Sequence, residues 1–173
     1  LLILYTDALE LYLPPRKGRN RALEIIREIL YFEPSGKATS LKEACRYAAR
    51  ILKKRAIVFL LSDFLDSGYE KAMGILAKKH DLVAMQILDN SELELPDAGI
   101  LRLQDPETGR VAYINSSDRK LREAYKAQVS LEQEKLAASL KKMGCDHLLF
   151  KNGDSYVKVL RQFFALRNKR RIV

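Results

Sequence analysis

Cysteine is scarce in this sequence. Only Cys45 and Cys145 occur among 173 residues, and their positions match no metal-binding spacing. Cys45 falls in a predicted helix and Cys145 opens a predicted strand, so we expect two buried free thiols in a reducing compartment. The scarcity argues against a disulfide-stabilised scaffold and is consistent with a cytoplasmic location.

Several signatures of common protein classes are also missing. No apolar run approaches the length of a membrane span, and no signal peptide is visible. There is no Gly-x-x-x-x-Gly-Lys loop, which argues against a nucleotide hydrolase of that type. No motif ties His80 or His147 to a Ser or Cys nucleophile, so a catalytic triad is unsupported. We expect His80 to interact with a helix dipole and His147 to pack inside a strand.

Positive charge exceeds negative charge. Lys and Arg number 31 against 22 Asp and Glu, for a net charge of +9, while 47% of the residues are hydrophobic. This balance permits nucleic acid, an anionic membrane surface or an acidic partner without selecting one. The basic runs at residues 16–19 and 167–171 fit a solvated turn and a solubilising helix end, and each could also contact an anion.

Apolar runs alternate with segments of helical periodicity, which predicts one α/β domain over residues 1–173. We expect a Rossmann-like, open and mostly parallel sheet with helices on both faces. The predicted strands are 1–6, 9–13, 56–61, 82–88, 99–103, 111–114 and 147–150. The predicted helices begin near residues 20, 40, 69, 117 or 118, and 155.

Aspartates follow several of the predicted strands. Asp7, Asp63 and Asp89 each come after an apolar strand, and Asp66 lies one helical turn beyond Asp63. Acids at the carboxyl ends of strands could bind Mg²⁺, but Asp is also a favoured helix cap and turn residue. We expect a capping role for Asp7, Asp66 and Asp89. We expect a site role for Asp63, because Thr39 offers a second metal ligand.

Two segments together resemble the second and third metal motifs of a von Willebrand factor A domain. They are Gly36-x-x-Thr39-x-Leu41-x-x-Ala44 and Ile57-Val58-Phe59-Leu60-Leu61-Ser62-Asp63. The chain is most similar to a bacterial branch of that superfamily, domain-of-unknown-function family fifty-eight, which is usually encoded beside MoxR-type AAA+ ATPases. Further markers of the branch occur in order, as Tyr5-Thr6-Asp7-x-x-Glu10-Leu11-Tyr12-x-Pro14-Pro15-x-Lys17-Gly18-Arg19, Leu30-Tyr31-Phe32-Glu33-Pro34, Lys54-Arg55-Ala56, His80-Asp81, Glu94-Leu95-Pro96-Asp97-x-Gly99 and Glu107-Thr108-Gly109.

The resemblance implies a metal-ion-dependent adhesion site in which Thr39 and Asp63 are ligands. Such a site also needs an Asp-x-Ser-x-Ser loop after the central strand, and the nearest run, residues 89–93, lacks the last Ser. We expect the central strand and its loop upstream of Leu1, so that the domain is N-terminally incomplete. One hydroxyl and one carboxylate should then bind Mg²⁺ weakly or not at all. The exposed sheet edge should be closed by self-association, strand exchange or a rearranged sheet.

The function that we expect is a protein–protein interaction module rather than an enzyme. The resemblance implies docking of a MoxR-type AAA+ ATPase or its client, and any membrane tether would lie in segments outside these residues. The alternative is a Mg²⁺-dependent nuclease, in which Asp7, Asp63, Asp66 and Asp89 hold the metal and the net charge attracts nucleic acid.

Overall fold

A computed structural model describes residues 1–36, 38–104 and 109–171 of the chain, with side chains described as far as Arg167. The strands are β1 (Leu2–Tyr5), β2 (Leu9–Leu13), β3 (Ile57–Ser62), β4 (Asp81–Leu88), β5 (Ile100–Gln104), β6 (Val111–Asn115) and β7 (Asp146–Lys151). The helices are α1 (Arg19–Tyr31), α2 (Leu41–Ile51), α3 (Glu70–Lys79), α4 (Asn90–Leu93), α5 (Arg119–Lys142) and α6 (Tyr156–Arg171). Within the described ranges, no helix is long and apolar enough to cross a membrane.

The chain forms two compact units. The first contains residues 1–56 and 64–80, which carry β1, β2, α1, α2 and α3. The second contains residues 57–63 and everything from Asp81 onward, and it carries the other strands and helices. That the chain is a single domain stays a prediction.

In the first unit, an antiparallel β1–β2 hairpin accompanies a packed pair of helices. Leu2 pairs with Leu13 and Leu4 with Leu11, with an irregularity between Leu4 and Tyr5. α2 packs against α3, and the buried residues of this unit include Leu41, Cys45, Ala48, Met73 and Leu76. Apolar residues spaced three or four apart on each helix account for this pairing, because such spacing places them on one face.

The second unit is built on a parallel sheet with strand order β3-β4-β7. Val83 of β4 lies on the same face as Leu148 and Phe150 of β7, and these three side chains are buried against α6. α5 also contacts β7. The result is a Rossmann-like α/β arrangement, which confirms the predicted fold class.

The described strands form three sheets rather than one. β1–β2 and β5–β6 are separate antiparallel hairpins, and parallel pairing is confined to β3, β4 and β7. Both hairpins were expected from the sequence, although the turn predicted between β5 and β6 falls largely on residues 105–108, outside the described residues. The mostly parallel character therefore holds for the three-stranded sheet alone.

Helix ends follow the local signals closely. Asp118 caps α5 by accepting hydrogen bonds from the Lys120 and Leu121 N–H groups, at 2.8 and 3.4 Å. Gly144 follows that helix with φ of 78°, a left-handed conformation that favours glycine. Neither Cys45 nor Cys145 forms a disulfide, and both are buried, as predicted. Burial and the neighbouring Asp146 carboxylate raise the pKa of Cys145 to about 11.

Two surface features go beyond what the sequence predicts. The apolar positions of α1 recur at helical spacing, and Leu23, Ile26, Ile29 and Leu30 are all more than half exposed. The basic run 167–171 lies at the end of α6, as expected, but Arg167 is paired with acids rather than solvated. Its guanidinium pairs with the carboxylates of Asp81 and Asp146, which begin β4 and β7.

Candidate functional site

The Thr39 loop, defined as residues 35–40 without the undescribed Lys37, is fastened to the β1–β2 hairpin. The Ser40 N–H donates to the Thr6 carbonyl at 2.9 Å, and the Gly36 N–H donates to the Glu10 carboxylate at 2.8 Å. The Thr6 hydroxyl donates to the same Glu10 oxygen at 2.8 Å. The hydrogen bond from Gly36, followed by that from Thr6, lowers the pKa of Glu10, so this anion holds the loop in place. Thr39 itself is exposed.

Gly36 is the point where the loop comes closest to the hairpin. A Cβ added at this position would lie 2.7 Å from Asp7 Oδ1 and 2.8 Å from Thr6 Cβ. The backbone can approach the hairpin this closely only because residue 36 has no side chain. The glycine of the predicted metal motif therefore has a steric role in the structure.

Asp66 helps to begin α2 from a distant part of the sequence. Its Oδ2 accepts a hydrogen bond from the Leu41 N–H at 2.8 Å, and its Oδ1 accepts one from the Ser67 N–H at 2.6 Å. Ser40 caps the same helix by accepting from the Glu43 N–H at 3.3 Å. The Glu43 carboxylate pairs with Arg46 at 2.6 Å. The structural role predicted for Asp66 is confirmed.

In the second unit, Asp63 follows β3 at the carboxyl edge of the parallel sheet. Its side chain is exposed, and Oδ1 accepts a hydrogen bond from the Ser62 hydroxyl at 3.3 Å. Its backbone carbonyl accepts one from Gln86 Nε2 at 3.1 Å. The position of this acid is thus set by the neighbouring strand as well as by its own.

A polar chain with a buried centre runs from Asp63, at the end of β3, through Gln86 of β4 to the half-buried His147 of β7. Gln86 is 1% exposed, and its Oε1 lies 3.1 Å from His147 Nε2. Since Gln86 donates to Asp63 through Nε2, its Oε1 is the acceptor, so His147 must carry its proton on Nε2. Burial lowers the pKa of His147 and favours the neutral ring. Sequence reasoning placed His147 inside a strand but missed Gln86, whose signal is a lone amide within an otherwise apolar run.

Asp89 is used as a helix cap. Its carboxylate accepts hydrogen bonds from the Ser91 N–H and hydroxyl at 2.9 and 2.6 Å, and from the Asn152 amide at 3.0 Å. The Asp89 N–H in turn donates to the Glu92 carboxylate at 2.7 Å, which completes a capping box. The Ser91 bonds, with that from Asn152, lower the pKa of Asp89 to about 2. The predicted capping role is confirmed.

The two predicted metal ligands lie in different units. Thr39 belongs to the first unit and Asp63 to the second, so their pairing at one metal stays a prediction. Among the described residues, no group of three or more His, Cys, Asp or Glu is arranged to hold a metal ion. What the described site residues offer is one exposed hydroxyl and one exposed carboxylate, the hard oxygen donors that Mg²⁺ prefers.

Comparison with known proteins gives a family but no assigned activity. A family model described as "Protein of unknown function DUF58" matches residues 1–135. The uncharacterized protein MAV169 of Mycobacterium avium is 26% identical over 159 residues, which cover 90% of this chain and 94% of that protein. The uncharacterized proteins Mb1516 of Mycobacterium bovis and Rv1480 of Mycobacterium tuberculosis show the same identity, but this chain spans only 50% of their length.

One solved structure resembles this chain, but its similarity is too low to support a functional argument. The conserved hypothetical protein BatB from Bacteroides thetaiotaomicron aligns with a TM-score of 0.48 and 17% identity. The alignment covers 85% of this chain and 69% of that protein.

Proposed function

The chain belongs to the DUF58 family, and from that premise we propose that it is a protein–protein interaction module rather than an enzyme. Its working surface is the outer edge of β3, and its partner adds a strand there. The resemblance to von Willebrand factor A domains supports a docking role, and the family's association with MoxR-type AAA+ ATPases supports such an ATPase, or its client, as the partner.

The proposal is supported by the position of β3 at an edge of the parallel sheet. β3 is hydrogen-bonded to β4 on one side, and within the described strands none pairs with its other side. On one face of the same strand, Ile57, Phe59 and Leu61 are 50%, 41% and 57% exposed. An open edge that carries exposed apolar side chains favours pairing with another chain. A second copy of this chain could supply that strand, which would produce self-association.

Oligomeric state tests the proposal directly. We expect light scattering after size exclusion to show a mass that rises with protein concentration, and Leu61→Lys to shift the chain to monomer. Ile100→Lys is the matched control, because Ile100 is 75% exposed on a separate hairpin of the same unit. A purified MoxR-type ATPase from the same genome should bind the wild type and lose affinity for Leu61→Lys. A monomeric wild type that also fails to bind the ATPase would refute the β3 edge as a docking surface.

Metal ion would contribute weakly to this docking. Thr39 and Asp63 would hold Mg²⁺ through one hydroxyl and one carboxylate, and an ion with so few protein ligands keeps most of its water. Calorimetric titration with Mg²⁺ and Mn²⁺ should give weak saturable heat that Asp63→Asn removes. Glu134→Gln, at an exposed carboxylate of α5, should leave that heat unchanged. Heat that survives Asp63→Asn would remove this residue from the metal site.

The nuclease alternative has less support from the residues it requires. Asp66 and Asp89 both direct carboxylate oxygens to backbone N–H groups, as capping residues do. Incubation of the chain with plasmid DNA and Mn²⁺ distinguishes the two functions. Cleavage that is lost in Asp63→Asn would favour the nuclease, and intact DNA would favour the docking module.

A further inference from the structure

A basic groove runs between α2 and α3 in the first unit. It has a volume of about 510 Å³ and is lined by Lys42, Arg46, Ala49, Arg50, Gly68, Lys71, Ala72, Ile75 and Lys79. We infer that this groove binds an acidic, amphipathic segment of a partner protein. The site is separate from the β3 edge, so the inference goes beyond the proposed function and can fail without it.

The groove is a consequence of spacing in the sequence. Lys42, Arg46 and Arg50 recur every four residues on α2, which places them in one stripe along that helix. Lys71, Ile75 and Lys79 recur every four residues on α3 in the same way. Because α2 and α3 pack against each other, the two stripes become the two rims of one groove.

Small residues leave the floor of the groove low and apolar. Ala49, Gly68 and Ala72 also line the groove, and Ile75, midway along the α3 rim between Lys71 and Lys79, is 46% exposed. An exposed isoleucine surrounded by cations gains from an apolar side chain that covers it. The floor therefore favours a ligand that carries apolar groups as well as negative charge.

The positive charge of the rims is poorly compensated. The nine lining residues include five cations and no acid. Arg46 pairs with Glu43 at 2.6 Å, but their side chains are 58% and 42% exposed, and exposed pairs of this kind contribute little. The guanidinium of Arg50 lies 5.3 Å from the centre of the Tyr47 ring. Within the described ranges, Lys42, Lys71 and Lys79 take part in none of the ion pairs, so their ammonium groups can receive carboxylates.

The shape distinguishes an acidic peptide from a nucleic acid. The α2 side of the groove runs from Lys42 to Arg50, eight residues or roughly 12 Å at the helical rise, which matches about two turns of a bound helix. Such a helix can place leucines on the floor and glutamates against both rims. A nucleic acid would bring phosphates to the rims and no aliphatic group to Ile75, and the nearby Tyr47 ring is already covered by Arg50.

Fluorescence anisotropy can test the inference with a designed probe. The probe is a labelled 16-residue peptide whose leucines and glutamates segregate to opposite faces when helical. We expect saturable binding in the micromolar range that weakens as salt is raised. Lys42→Glu combined with Lys71→Glu should weaken binding at least tenfold, and Ile75→Lys should weaken it severalfold by removing the exposed apolar side chain of the groove.

Matched controls separate the groove from net charge. Lys135→Glu combined with Lys141→Glu on α5 also lowers the net charge from +9 to +5, since each exchange removes two positive units, and it should leave peptide affinity unchanged. A scrambled peptide of the same composition should bind at least fivefold more weakly. Circular dichroism melting verifies that every variant is folded.

Three results would overturn the inference. They are no binding of the segregated peptide to the folded wild type, equal losses in the groove and α5 double variants, and tighter groove-dependent binding of a single-stranded DNA 15-mer than of the peptide. The DNA result would assign the groove to nucleic acid instead. The self-association assay on the β3 edge is independent of all three.

Discussion

Replacement of Gln86 by leucine should destabilise the second unit although the two side chains are similar in size. Gln86 is 1% exposed and makes two hydrogen bonds of 3.1 Å, one to the Asp63 carbonyl and one with the His147 ring. A net hydrogen bond is worth about 1 kcal/mol, and a buried donor without an acceptor costs roughly 1–3 kcal/mol. The change removes the donor to the Asp63 backbone carbonyl and the acceptor of the half-buried His147 N–H, so both bonds are lost and no partner replaces Gln86 in the leucine variant. We expect a loss of about 2–3 kcal/mol.

Urea unfolding followed by circular dichroism measures this loss. At a slope of about 2 kcal/mol per molar urea, the midpoint should fall by roughly 1 M. Gln162→Leu, at an exposed glutamine of α6, is the matched control and should leave the midpoint in place. The double variant Gln86→Leu with His147→Leu should lose less than the sum of the single losses, because removal of both partners leaves no orphaned N–H. An unchanged or higher midpoint for Gln86→Leu alone would show that the polar chain contributes nothing.

Three further changes test other parts of the structure. Gly36→Ala should cost roughly 1–3 kcal/mol in thermal melts, because the new Cβ would lie 2.7 Å from Asp7 Oδ1; wild-type melting would contradict the close approach. Burial lowers the pKa of His147 in the folded protein, so on acidification the His147 ring of the unfolded chain takes up a proton first. The contribution of the neutral ring to folding stability is therefore complete above about pH 6.5 and should fall as the pH is lowered below that value. Urea midpoints at pH 7.5 and 5.5 measure that fall, and His147→Leu should reduce it. Arg167→Met should lower the free energy of unfolding in urea by about 1–3 kcal/mol, because the carboxylates of Asp81 and Asp146 lose their cation. Adding Asp81→Asn to this variant should restore part of the loss, and an unchanged free energy of unfolding for Arg167→Met would contradict the pairing.

Local signals in the sequence were enough to place most elements. Asp118 and Gly144 mark the ends of α5, and Ser40 marks the beginning of α2, because a cap satisfies N–H or carbonyl groups within a few residues of itself. The continuous apolar runs at residues 56–61 and 82–88 likewise predicted the strands β3 and β4 to within one residue at each end. These predictions needed no knowledge of distant partners, which is why they agree with the structure.

Long-range pairing was beyond the sequence. The register that brings Gln86 of β4 beside His147 of β7 joins residues 61 positions apart. Arg167 looked like part of a basic tail, yet its partner Asp81 lies 86 positions away. The apolar stripe of α1 likewise indicated an amphipathic helix correctly, but periodicity does not say what covers the stripe, and Leu30 is 70% exposed.

The aspartates that follow the strands differ in role, since Asp66 and Asp89 cap helices whereas Asp63 is the acid proposed to bind metal. A two-metal nuclease would need Asp66 and Asp89 to direct their oxygens toward cations, but these oxygens already accept backbone N–H groups at the beginnings of α2 and α4. Recruiting them to metal would leave those N–H groups without their caps, so metal binding and helix stability would oppose each other. Within the described residues neither Thr39 nor Asp63 is the N-cap of a helix, so a metal that engaged either one would remove no cap from the described helices. Alanine at Asp89 should therefore lower the melting temperature and leave the Mg²⁺ heat unchanged, whereas alanine at Asp63 should remove that heat and lower the melting temperature less than alanine at Asp89 does. If both variants instead lost the same Mg²⁺ heat, the division between capping and site acids would be wrong.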